Sequence, residues 1–172
     1  MFKGEYSFRG THAEKVIRLT AAFDKKGNKL FPRNLDVYLL APIVGFMYGR
    51  KAALDKGSET TKIFPEQINN EHTTLWFTYR FIMLLDDKYE PNFEERVSKA
   101  FRNYGRDEAK QDEELYDDYV RGGVDVIYEK LIESANSEED YLKNLYDFME
   151  DFDERYGETT SSVLDLVKLA RS

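Results

Sequence analysis

Residues 35–54, LDVYLLAPIVGFMYGRKAAL, form the most apolar stretch of the chain. Between Val37 and Gly49 only Tyr38 and Tyr48 carry a polar side-chain atom, and a helix that is apolar on nearly every face belongs in a core or a membrane. Thirteen residues bounded by Asp36 and by Arg50-Lys51 fall short of the ~20 that a bilayer requires. The stretch therefore reads as a buried central helix over 35–54, with the remaining segments packed around it. Pro42 removes one backbone donor and crowds the carbonyl of Tyr38, which predicts a kink or a restart of the helix there. Gly45 and Gly49 are four apart, share a helical face and predict close approach of a neighbour.

Upstream, Tyr6 and Phe8 alternate with polar residues, leaving room for one short N-terminal strand. Thr11 to Glu14 has the form of a capping box, and Val16, Ile17, Thr20 and Phe23 follow at helical spacing, so a helix is expected over 12–23. His12, in its first turn, reads as a surface histidine. Residues 24–29 make a basic turn, and Asn34 is placed to cap the central helix. Downstream, the polar connector 55–64 has room for a second short strand. Pro65 and Glu66 then open a helix expected to run to 86, with Trp76 in the core.

Pro91-Asn92 starts a further helix that Gly105 ends, with Arg96, Lys99, Arg102 and Arg106 on its polar side. Residues 107–135 carry one apolar stripe that Gly122-Gly123 is expected to kink or break. Ser137 to Asp140 resembles a capping box and opens a helix ending at Gly157, and a last helix spans 162–170 with Val163, Leu166, Val167 and Ala170 inward. The sum is an all-α fold: an irregular or orthogonal bundle of about six to seven helices around 35–54, in one domain spanning 1–172.

The chain has 172 residues, no cysteine and a net charge of −8. The missing thiols exclude disulfides and thiolate metal sites. No apolar signal core follows the first residues and no stretch spans a bilayer, so a soluble, cytoplasmic protein is expected. The charge is unevenly placed: residues 1–62 hold 12 Lys/Arg against 6 Asp/Glu, and residues 63–172 hold 13 against 27. Such a split suits a polyanion-binding surface, an acidic surface for a basic partner, or two parts of one molecule that attract each other.

Recognisable catalytic chemistry is missing from the pattern. With two histidines and no cysteine, a serine or threonine nucleophile has few candidate bases. Residues 45–51 lack the spacing and the Lys-Ser/Thr ending of a phosphate loop. Neither histidine sits four residues from the other or three after a glutamate, as a helical zinc or di-iron site requires. No catalytic residue, metal or cofactor is therefore assigned.

Two charged sets remain as candidates. Arg9, Lys15, Arg18, Lys25, Lys26, Lys29 and Arg33 could contact nucleic acid. Asp112, Glu113, Asp117, Asp118, Asp147, Glu150, Asp151 and Glu154 could form an acidic interaction face. The expected function is a non-catalytic binding or accessory subunit of a larger bacterial assembly. It would engage protein partners, with nucleic acid or a second copy of the chain as further partners. A metal-dependent hydrolase or nuclease using the C-terminal carboxylates is one alternative. An acidic inhibitor that mimics nucleic acid is the other.

Overall fold

A computed structural model describes the backbone of Phe2 and residues 4–169, and side chains as far as residue 155. Among the described residues there are seven α-helices and one two-stranded antiparallel sheet, so the all-α expectation holds. The elements are β1 (Tyr6–Arg9), α1 (Gly10–Leu19), α2 (Asn34–Met47), β2 (Thr60–Ile63), α3 (Pro65–Asn70), α4 (His72–Leu85), α5 (Phe93–Phe101), α6 (Lys110–Leu131) and α7 (Glu138–Leu169). No described helix is long and apolar enough to cross a membrane. The chain divides into two compact units, 1–128 and 129–172.

In the first unit α2 is the buried element, with Leu35, Val37, Tyr38, Ala41 and Val44 almost fully enclosed. It ends at Met47 rather than 54, because Gly49 takes φ +61° and turns the chain out of the helix. Left-handed backbone of this kind is the common glycine stop. Pro42 lies inside α2 without starting a new helix. Asn34 does not cap it. The Arg33 amide donates to Asp36 Oδ2 (2.8 Å), and Asn34 instead donates from its side chain to Thr61 Oγ1 of β2 (2.6 Å).

The expected break at Gly122-Gly123 is absent, since α6 runs through both residues. A Cβ on Gly123 would stand 1.8 Å from the carbonyl oxygen of Ala41, and one on Gly122 would stand 2.1 Å from that of Arg50. A Cβ on Gly45 would meet the Tyr119 carbonyl at 2.1 Å. Backbone therefore lies directly on backbone where α2 crosses α6, and the glycines are required by that approach rather than by a kink. Gly49, predicted to share this role, has open space around it.

Two other helix starts differ from expectation. α1 begins at Gly10, and Thr11 is held by Asp55, whose Oδ2 accepts from both the amide and the hydroxyl of Thr11 at 2.8 Å. Those hydrogen bonds, with one from the Gly57 amide, hold the Asp55 carboxyl down at about 2. α1 closes at Leu19, short of the expected 23. The helix expected over 65–86 is two, α3 and α4, parted at Glu71. β1 and β2 pair in the register Tyr6↔Ile63.

The basic side of α5 serves structure. Arg96 donates to the carbonyl of Leu84 (2.9 Å), an acceptor at the end of α4, and to that of Glu90 (2.8 Å) in the following loop. Lys99 pairs with buried Asp112 at 3.0 Å. α5 stops at Phe101, four residues before Gly105.

In the second unit Asp140 Oδ2 accepts from the amides of Asn136 (2.9 Å) and Ser137 (2.8 Å), so the predicted start of α7 is present. Lys130 reaches Asp151 at 3.1 Å. The helix continues past Gly157 to Leu169; one interior glycine costs only ~1 kcal/mol relative to alanine. The expected inward stripe Val163, Leu166, Val167 and Ala170 lies outside the described side chains.

Candidate functional site

The outward side of α4 is the first unusual surface. Leu75, Tyr79, Ile82 and Met83 are buried, and at 3.6 residues per turn Trp76, Phe77, Arg80, Phe81 and Leu84 fall on the opposite side. A surface helix normally carries polar residues there, yet Phe77 is 69% exposed and its ring stacks on Phe81 at 6.4 Å. Trp76, expected in the core, is only half-buried. The Arg80 guanidinium lies 3.3 Å from the centre of its ring and 4.9 Å from that of Phe101. From α5, Phe101 (51% exposed), held through Arg80, enlarges the apolar surface.

A cleft of about 290 Å³ is the second. The arm before β1 supplies Phe2 and Glu5, β1 supplies Tyr6, α2 supplies Tyr38, and α6 supplies Glu113 and Asp117. Glu5 is fixed to Lys62 of β2 at 2.9 Å, and the rings of Tyr6 and Tyr38 lie 4.3 Å apart. Asp117 retains some exposed surface as a residue, but its Oδ1 has essentially none and no hydrogen-bond partner. Burial pushes its carboxyl up to about 7, opposed by nearby Arg121 and reinforced by Asp118 and Glu113. Arg121 pairs with Asp118, donates from Nε to the Ala52 carbonyl at 2.8 Å and hydrogen-bonds the Tyr6 hydroxyl. Burial also raises the phenols of Tyr6 and Tyr38 far above their ordinary value, so both stay neutral.

The seven basic candidates do not form one face. Lys15 bonds Asp125 of α6 at 2.7 Å, Arg18 bonds the Tyr128 hydroxyl, and Arg33 pairs with Asp36 at 2.6 Å. Arg9, Lys25, Lys26 and Lys29 are exposed, the lysines on a turn ordered by Asp24, whose Oδ1 accepts from the amides of Lys26 (2.9 Å) and Asn28 (2.8 Å). His12 is not a surface residue. It is 6% exposed, with Nε2 3.4 Å from Asp125. Burial opposes ionisation of Asp125, but hydrogen bonds from His12 and Lys15 hold its carboxyl below the usual range.

The acidic candidates divide likewise. Asp112 is buried and accepts from Tyr89 Oη (2.8 Å) and Lys99, Asp118 pairs with Arg121, and only Glu113 and Asp117 line the cleft. On α7, Asp147, Glu150 and Glu154 are exposed, whereas Asp151 pairs with Lys130 and Arg155. Among the described residues no three His, Asp or Glu side chains converge as a metal ligand set.

Sequence reading missed both surfaces. Phe77 and Phe81, four apart and opposite Leu75 and Tyr79, were the available signal for the first. Nothing local signals the second, which arises when the arm closes over α2 and α6. No family model matches the chain, and neither a curated protein nor a solved structure matches it, so the functional reading rests on this geometry.

Proposed function

We propose that the protein is a non-catalytic accessory subunit that docks on a protein partner through the outward side of α4 and the adjoining part of α5. The observation that supports this most is Phe77, largely exposed on a helix whose other side already fills the core. Large exposed apolar surfaces mark interaction sites more often than idle surface. Trp, Phe and Arg are side chains suited to a binding centre, and Arg80, stacked between Trp76 and Phe101, loses little freedom when a partner covers it. Exposed Arg102 directly follows Phe101 and favours a partner with acidic residues around an apolar centre.

Phe77→Glu is expected to change stability by no more than ~0.5 kcal/mol, as for an exposed substitution, and to abolish partner capture. Affinity purification from the native host, run beside a denaturant titration, checks both. Identical captured proteins for wild type and variant would overturn the reading.

The exposed turn of Lys25, Lys26 and Lys29 favours a second, subsidiary contact with a polyanion. Mobility shift at low salt should then show binding to DNA and RNA alike, steeply weakened by salt. Lys26→Glu should reduce it without sequence preference. No shift at micromolar protein would remove nucleic acid from the account.

A further inference from the structure

We infer that the outward side of α7 is a docking site for a basic amphipathic helix of a partner protein, which lays its apolar side along Leu142, Tyr146 and Met149. The site lies within the second unit and does not depend on the docking surface on α4.

Two sides of α7 carry apolar residues, and only one is covered. Asn144 donates to the Leu131 carbonyl (3.3 Å) and Asp151 pairs with Lys130 (3.1 Å), with Phe148 buried between them in the same row. That row, at i, i+4 and i+7, marks the side turned toward the end of α6. Leu142, Tyr146 and Met149 each precede a member of it by two residues, a rotation of about 200° round the helix. They are 56%, 61% and 63% exposed. A solvated helix side is normally polar, whereas three large apolar side chains at this spacing form the anchor pattern by which helices recognise one another. Met149 contributes a flexible, polarizable side chain suited to an adaptable contact.

Charge selects the occupant. Glu138 and Asp153 extend the apolar row at its two ends, and Glu139 and Glu150 run beside it, all four exposed. Among the described residues none of these carboxylates forms an ion pair. Glu150 accepts from the Tyr146 hydroxyl at 2.9 Å, which holds that ring along the helix surface. Lys143 is the single lysine or arginine between 138 and 154. A second copy of the chain would set carboxylates against carboxylates, and like charges across an interface oppose association. An anionic membrane surface is disfavoured on the same ground. A helix with lysine or arginine beside an apolar stripe complements both the row and its border, and the border also speeds its approach.

Fluorescence anisotropy of labelled peptides about 14 residues long, four helical turns, titrated with the full chain at low salt, tests the proposal. The basic probe carries leucines at i, i+4 and i+7 spacing and lysines elsewhere. One control replaces its lysines with glutamates, and the other replaces its leucines with alanines, which keep helix propensity. The basic probe should bind roughly tenfold or more tightly than either control and should weaken as salt is added. Met149→Ser and Glu150→Lys should each weaken binding several-fold with helicity unchanged, since both positions are exposed. Glu94→Lys, the same charge change at an exposed position on α5, should leave it unchanged. The proposal is overturned if the basic probe does not bind, if either control binds equally well, if both α7 variants bind like wild type, or if Glu94→Lys weakens binding as much as Glu150→Lys. Self-association in sedimentation that Met149→Ser removes would assign the surface to a second copy and overturn it as well.

Discussion

Asp117→Asn is expected to stabilise the protein by ~2–4 kcal/mol at pH 8 and to leave its stability almost unchanged near pH 4. The folded carboxyl titrates at about 7 against 3.8 when unperturbed, chiefly because burial disfavours its charge. Between these values the native state holds a proton that the unfolded chain has released, so wild-type stability falls as pH rises from about 4 to 7. Above 7 both states are ionised and the penalty is complete and constant. Three pH units correspond to roughly 4 kcal/mol, and the partial exposure of the residue reduces this toward the lower figure. Asparagine keeps the shape and removes the charge. Denaturant midpoints at unchanged slope, measured from pH 4 to pH 8 for both proteins, provide the test. A difference that does not grow with pH would contradict an uncompensated buried carboxylate.

Gly123→Ala should destabilise by ~3 kcal/mol or more, or prevent folding altogether. Helix propensity alone predicts the opposite, a gain of ~1 kcal/mol from replacing a glycine inside α6. Packing decides the sign, because the added carbon would lie 1.8 Å from a backbone carbonyl oxygen of α2. A backbone atom in a core helix cannot rotate away as the end of a side chain can. Gly122→Ala repeats the experiment against the Arg50 carbonyl. Thermal melts of both variants are sufficient, and unchanged melting temperatures would mean that α2 and α6 are not in backbone contact.

The same glycines show where sequence reading succeeds and where it stops. The apolar run around Val37 to Phe46 identified the central helix because burial on every side needs no knowledge of neighbours. Local chemistry also placed the starts at Pro65, Asn92 and Ser137, each beside its own helix. Gly122-Gly123 read as a break because propensity is local, whereas the contact that requires them comes from Ala41 and Arg50, some 70 to 80 residues away in sequence. Thr11 read as a cap for the same reason, and its actual partner is Asp55.

Charged side chains were the least legible. Lys15 and Arg18 counted toward a basic face until α6 brought Asp125 and Tyr128 beside them. Lys99 and Arg96, read as a polar side, join α5 to Asp112 and to the end of α4. Composition gives the number of charges, and only the tertiary fold determines which remain exposed. Asp117 shows the converse, since nothing separates it in sequence from Asp118, yet one lines an aromatic cleft and the other pairs with Arg121.

Site-specific photocrosslinking in the native host tests the docking surface most directly. A photoreactive phenylalanine analogue placed at position 77 should give one discrete adduct with another protein, while the same group at position 25, on the basic turn, should not give that adduct. No adduct from position 77, or the same adduct from both positions, would contradict the assignment of the outward side of α4 as the partner-binding surface.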